Sequence, residues 1–259
     1  MDILTLHRGT ASLLISLPHD GSAIPDELAT RMTETAKRAP DTDWFVSRLY
    51  DFARALGASI LVPAYSRYVV DLNRPPDDVS LYPGQNTTGL CPIVQFSGEP
   101  VYLDSEQPGS AEIMRRVERY WRPYHVALEA ELHRLRVQHG RVLLWEGHSI
   151  KSRVPFLFDG RLPDINLGTA GGASCMAATQ ARIERVLSGQ SDHSWVSNGR
   201  FKGGYITRHY GRPSDGVEAI QLELAQCNYM DEDAPSYDEL KAGQLQVLIG
   251  AMLHEAMSS

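Results

Sequence analysis

The apolar positions of this chain fall into short continuous runs, separated by longer stretches in which they recur at helical spacing. Ala11 to Leu17 (ASLLISL) is the first run, and it stops at Pro18-His19-Asp20-Gly21. A continuous apolar run ended by a polar, Gly-bearing turn predicts a strand buried on both faces. From Asp43 to Leu56, the residues Phe45, Val46, Leu49, Phe52, Ala53 and Leu56 share one face of a helix. Thr42 or Asp41 would cap it and Gly57 would stop it. SILVP (59–63) predicts a second buried strand, and YSRYVVDLNR (65–74) a third, closed by Pro75-Pro76. Ile113, Val117, Trp121, Tyr124, Leu128, Leu132 and Leu135 then mark a helix over 110–139, with Pro123 as a kink or restart and Gly140 as its end. RVLLW (141–145) predicts a strand running into Glu146-Gly147-His148-Ser149. A helix over 176–187, strands over 205–209 and 217–224, and an amphipathic helix over 237–257 complete the pattern.

Two stretches stand apart. Residues 77–107 are rich in Pro, Gly, Asn, Thr and Ser, and residues 151–174 are irregular. The first is too long for a plain connector and reads as a functional loop region. No repeat or low-complexity linker divides the sequence, so residues 1–259 read as one domain. Strands alternating with helices, several strands apolar on both faces, predict an α/β fold with a mixed, mostly parallel sheet flanked by helices.

Composition narrows the function. The chain of 259 residues carries 25 Lys+Arg against 32 Asp+Glu, a formal net charge of −7. That balance argues against a general nucleic-acid footprint. No apolar run approaches the roughly 20 residues of a membrane-spanning helix. MDILTLHRGT has no basic region followed by an apolar one, so a cytoplasmic protein is expected. Cys91, Cys175 and Cys227 are far apart and form no CxxC pair, which speaks against disulfide scaffolding or a cysteine-rich zinc site.

Candidate chemistry collects where strands end, the place where open α/β sheets bind ligands. His19 follows the first strand, and His148 lies just past RVLLW. Strand alternation puts Glu146 and His148 on one side, with Gly147 between them. Two imidazoles and a carboxylate are the ingredients of a catalytic zinc site, with Asp20, Asp43 and Glu146 as candidate third ligands. A histidine after a strand is as readily a structural hydrogen bonder. Glu223 in AIQLELAQ points opposite to Leu222 and Leu224, and suits either a general base or an ordinary strand residue. Arg67, Arg74, Lys151, Arg153, Lys202 and Arg208 suggest a small anionic substrate or simply a solvated surface, and Asp71 could pair with Arg74. His125, Glu129 and His133 form HxxxExxxH on one helical face, a pattern commoner on solvated helices than at metals. GTAGGASC (168–175) lacks a phosphate-loop pattern and Ser149 lacks a GxSxG elbow.

The blocks PHDGSAIP, DTDWFVSRLY, SRYVVDLNRPP, WEGHSIKSRVPFLFDGRLPDINLG, NGRFKGGYITRHYG and IQLELAQCNYM resemble the N-formylglutamate amidohydrolase (deformylase) family, in order and over nearly the whole chain. The resemblance implies a fold similar to carboxypeptidase-like zinc exopeptidases. It also implies hydrolysis of N-formyl-L-glutamate to formate and L-glutamate, the last step of one histidine-degradation route. By the same resemblance His19 and His148 are metal ligands, with Asp43 the first choice as third ligand and Glu146 the second. Glu223 is the general base. Zinc is the implied metal, with cobalt or manganese as alternatives. Arg67, Arg74, Arg153 and Arg208 form the pool for the two substrate carboxylates, and Asn73, Asn198 and Tyr205 bind its remaining polar atoms. Two positions depart from the family pattern. Glu146 stands where Asp is commoner, and Gly171 where Asp is expected, which opens that loop to a different substrate preference. The rival readings are a zinc amidase for another N-acyl amino acid or a peptidoglycan fragment, a metal-free binding module on the same fold, and a purely structural α/β protein.

Overall fold

The computed structural model describes residues 2–81, 84 and 87–258. Tyr82, Pro83, Gln85 and Asn86, inside the loop expected to carry function, lie outside the described residues. Seven strands form one sheet: β1 (Leu4–His7), β2 (Leu13–Ser16), β3 (Ser59–Pro63), β4 (Val142–Ile150), β5 (Ile165–Gly168), β6 (Trp195–Ser197) and β7 (Val217–Ala225). Their order is β1-β3-β2-β4-β7-β5-β6. The β2–β3, β2–β4, β4–β7 and β5–β6 pairs are parallel, whereas β1–β3 and β5–β7 are antiparallel. The chain passes from β2 to β3 on one side and from β3 to β4 on the other. The switch point therefore lies between β2 and β4, the two strands that lead into His19 and His148.

Two cores cover the two faces. The helices are α1 (Asp26–Ala29), α2 (Val46–Leu49), α3 (Ser110–Arg116), α4 (Arg122–His139), α5 (Ala177–Ser188), α6 (Tyr205–Tyr210) and α7 (Glu239–Met257). Leu13, Ile15, Leu143, Trp145, Ile220, Leu222 and Leu224 pack with α2, α5 and α7. Leu14, Val142, Leu144 and Ala219 pack with Tyr124, Leu128 and Leu132 of α4. Side chains alternate along each strand, so consecutive leucines serve opposite cores and the strands read as continuous apolar runs. Between α3 and α4 a π-turn spans Val117–Trp121, and Pro123 sits in the first turn of α4. That is the restart expected at this proline.

Three local expectations fail for identifiable reasons. Residues 65–74 are turns, not a strand. Their carbonyls are bonded by side chains: Arg116 donates to Val69 O (3.1 Å), His125 to Leu72 O (2.9 Å) and Trp121 to Arg74 O (3.0 Å). The helix expected over 43–56 is broken into α2 and a 3-10 turn at Asp51–Arg54, and Phe45 before it adopts φ 62°. Residues 205–209 lie in helix α6, whose early amides are taken by Asn73 Oδ1 (from Ile206 N–H, 2.9 Å) and Glu146 Oε2 (from Thr207 N–H, 3.1 Å). Strands β1, β5 and β6 went unpredicted because each has at most four residues, too few to show a period. Among the described residues no helix is long and apolar enough to cross a membrane.

Candidate metal centre and catalytic cleft

The site forms where the apolar rows of β4 and β7 turn polar. On the α4 side, Val142 and Leu144 are followed by Glu146 and His148, and Ala219 by Gln221 and Glu223. Register places Glu146 opposite Gln221 and His148 opposite Glu223. All four side chains are buried. On the opposite face Gly147 leaves no room for a side chain, since a Cβ there would lie 2.7 Å from Leu17 Cδ2 and 2.9 Å from Tyr50 Cε2. This packing fixes the stretch of β4 that carries Glu146 and His148.

Asp43 is brought in by a loop tied to His19, its amide donating to the His19 carbonyl (3.0 Å). Ligand atoms of His19, Asp43 and His148 then lie within 4.8 Å of one another, all three residues buried. His148 Nδ1 is 3.0 Å and His19 Nδ1 3.9 Å from Asp43 Oδ2. The far nitrogen of each ring meets another carboxylate: His19 Nε2 is 2.7 Å from Asp71 Oδ1, and His148 Nε2 is 2.7 Å from Glu146 Oε1. These carboxylates are themselves held, Asp71 by the Asn73 amide (2.8 Å) and Glu146 by the amide and hydroxyl of Thr207. An imidazole that donates Nε2–H to a carboxylate turns Nδ1 toward the third residue. Carboxylate–imidazole pairs of this kind orient metal-binding histidines.

Charge supports the same reading. Asp43, Asp71, Glu146 and Glu223 are buried together, while the fixed positive charge touching the trio is Arg67, whose guanidinium bonds His19 Nδ1 and Asp43 Oδ1 (3.1 Å). Burial and the Arg67 charge push the His19 pKa down, which keeps that ring neutral. Burial also works against a charged His148, but bonds from Asp43 and Glu146 outweigh it and raise its pKa to about 10. The two carboxylates thus favour positive charge at His148, as a proton or a bound metal would supply. Two imidazoles and a carboxylate, with negative charge in excess around them, fit a divalent metal of the zinc type. Beside them burial pushes the Glu223 carboxyl up to about 8, into the range useful for moving protons near neutrality.

The cleft above the trio has a volume of about 90 Å³. The structure brings His19, Arg67, Asn73, Arg74, His148 and Glu223 to its wall, with Asp43 and Glu146 directly behind. Arg74 Nε donates to Thr88 O (2.9 Å) rather than to Asp71. The structure does not bring four other candidates to the cleft. Arg153 lines a neighbouring cavity. Asn198 pins the loop after β5, accepting from Thr169 N–H (2.9 Å) and Gly171 N–H (3.0 Å). Tyr205 stacks on His209 with centroids 4.7 Å apart, and Arg208 Nε bonds Gly203 O (2.8 Å). Asp71, Arg200 and Gln221 belong to the site and were not singled out as such. Alternation from Glu223 would have found Gln221, and the DLNR block would have found Asp71.

The weaker patterns resolve into structure. His125 is buried among aromatic rings while Glu129 and His133 are exposed. Burial raises the Cys91 thiol to about 11 and the Cys175 thiol to about 12, unsuited to nucleophilic chemistry.

Comparison with known proteins places the chain in a family. The family model described as N-formylglutamate amidohydrolase matches residues 11–230. The chain is 53% identical over 234 residues to an N-formylglutamate deformylase of Pseudomonas aeruginosa, covering 90% of this chain and 88% of that one. It is 49% identical over 257 residues to an N-formylglutamate deformylase of Pseudomonas putida, covering 99% and 96%. The crystal structure of an N-formylglutamate amidohydrolase from Ralstonia eutropha JMP134 superposes with a TM-score of 0.83 at 25% identity, covering 99% and 97%. The fold alone is shared with a gene product of Agrobacterium tumefaciens, at 17% identity and a TM-score of 0.73, covering 100% and 97%.

Proposed function

The chain belongs to the N-formylglutamate amidohydrolase family, and from that premise we propose that it hydrolyses N-formyl-L-glutamate to formate and L-glutamate with the help of a bound metal. The observation that carries this reading is the buried His19–Asp43–His148 trio, each imidazole backed by its own carboxylate, beside the raised carboxyl of Glu223. His19 Nδ1, Asp43 and His148 Nδ1 would hold the metal. Zinc bound there supplies Lewis acidity to the formyl carbonyl and lowers the pKa of water toward about 7. Glu146 is a positioning residue in this scheme, because its oxygens are engaged by His148 Nε2 and Thr207.

Glu223 takes a proton from the attacking water as the new C–O bond forms. It then returns that proton to the amide nitrogen as the C–N bond breaks, releasing formate and the amine of glutamate. A carboxyl that ionises near neutrality serves both directions. Arg67 borders the developing oxyanion, where a fixed donor acts most strongly in a buried site. Arg74 and Arg200, both on the cleft wall, are suited to the two substrate carboxylates.

Glutamate release from N-formyl-L-glutamate, measured with chelator and with zinc or cobalt restored, tests the reading. Chelator-sensitive turnover recovered by metal is the expected result. Turnover only of N-acetyl or N-succinyl amino acids moves the substrate within the same chemistry. Purified protein that takes up no metal supports a binding module instead.

A further inference from the structure

Next to the catalytic cleft lies a wider cavity, of about 420 Å³. The two share Phe96, Ser149 and Ile150 as a common wall. The segment Asp41–Thr42–Asp43 divides between them. Asp43 turns to the histidines, while Asp41 and Thr42 line the wider cavity. Nothing in the proposed reaction uses this space.

Its lining combines two features. Arg38, Lys151 and Arg153 contribute positive charge, and none of them forms an ion pair among the described residues, although Glu34 acts on Arg38 and Asp231 on Lys151 at longer range. Elsewhere cations such as Arg31, Arg116, Arg122 and Arg134 are matched by glutamates. Two carboxylates also line the cavity: Asp41 is engaged by the Phe96 amide (2.8 Å), and Glu99 is exposed, as are Arg38 and Arg153. The second feature is apolar surface, from Phe96, Ile150, Val154 and Pro155. Cations beside an apolar wall suit a ligand with one anionic end and an apolar stem.

We propose that this cavity is a second ligand site, taking a small organic carboxylate with an apolar stem, its anionic end on Lys151 and Arg153. The site is separate from the reaction. It stands beside it all the same, because Thr42 and Ser149 directly neighbour Asp43 and His148 in the chain.

Isothermal titration of 4-phenylbutyrate into the full chain, with L-glutamate saturating the cleft, tests the proposal. The expected result is binding at one site per chain. It should weaken at least tenfold in the Lys151→Ala/Arg153→Ala double variant, and 4-phenylbutanamide, the uncharged analogue, should not bind. Absence of binding by 4-phenylbutyrate, equal binding of the amide, or unchanged affinity in the double variant would each overturn it. Lys151 and Arg153 make no ion pair among the described residues, so their removal should leave the melting temperature unaltered and the affinity comparison clean. Because the readout is binding, it stands or falls independently of N-formyl-L-glutamate turnover.

Discussion

His148 and His125 are both almost inaccessible, at 2% and 4% exposure, and both use two ring nitrogens. Their chemistry is opposite. Burial works against a charged ring at each, yet His148 is raised to about 10 and His125 lowered to about 3. His148 meets Asp43 and Glu146. His125 meets the Leu72 carbonyl and the Tyr210 hydroxyl (2.9 Å each), and stacks on Trp121 with centroids 3.7 Å apart. Burial alone therefore does not separate a ligand from a packed histidine; the carboxylates around the ring do.

The largest expected effect lies at the charged ring. His148→Ala should lose bound metal and activity together, with kcat/KM falling by at least about 10⁴-fold, since both the ligand and the Lewis acidity go. Metal analysis beside the kinetics checks this, and a metal-replete, inactive His148→Ala protein would remove His148 from the ligand set. Glu223→Gln should keep the metal and lose about 10²–10⁴-fold in kcat, the usual contribution of a general base. Near-normal turnover in that variant would assign the proton transfers to another group. Asp71→Asn is milder, because an amide oxygen can still accept from His19 Nε2. Zinc affinity should drop by about 10–100-fold, as for other carboxylates behind metal-binding histidines. Competition with a chromophoric chelator measures that drop, and unaltered affinity would leave Asp71 without a part in orienting His19.

The same contrast explains what could be read in the sequence. The strands that carry the site were legible because burial on both faces makes ASLLISL, SILVP and RVLLW continuous apolar runs. Glu146, His148 and Glu223 stood out as polar residues at the ends of such runs. Asp43 stood only as one of three candidate ligands, ranked first by the family resemblance, since a loop hydrogen bond to the His19 carbonyl, not a sequence period, brings it in. Asp71 was hidden for a related reason. YSRYVVDLNR has the composition of a strand, but its carbonyls are bonded by helix side chains, so no period-2 rule applies to it. Arg153 and Arg200 look alike in the sequence, and tertiary placement alone puts one in the wider cavity and the other on the cleft wall.

The smallest predicted effect lies at the neutral ring, and it concerns stability. His125 is an ordinary imidazole in the unfolded chain, near 6.5, and is lowered to about 3 when folded, chiefly by burial. The unfolded state thus binds a proton that the folded state refuses. The stabilising contribution is fully present above pH 6.5 and is lost progressively as pH falls from there toward the folded value. At pH 5 the loss is about 2 kcal/mol relative to pH 7.5. Other groups also titrate in this window, so the measurement is a difference. Urea unfolding of the wild-type chain and of His125→Gln at both pH values should show the wild type losing about 2 kcal/mol more than the variant. Gln can still donate to the Leu72 carbonyl but takes up no proton in this range. Equal losses in the two proteins would mean that the ring can be protonated in place, with the Tyr210 hydroxyl turning to accept from Nδ1. The uncharged surroundings of His125 would then be no barrier to its titration.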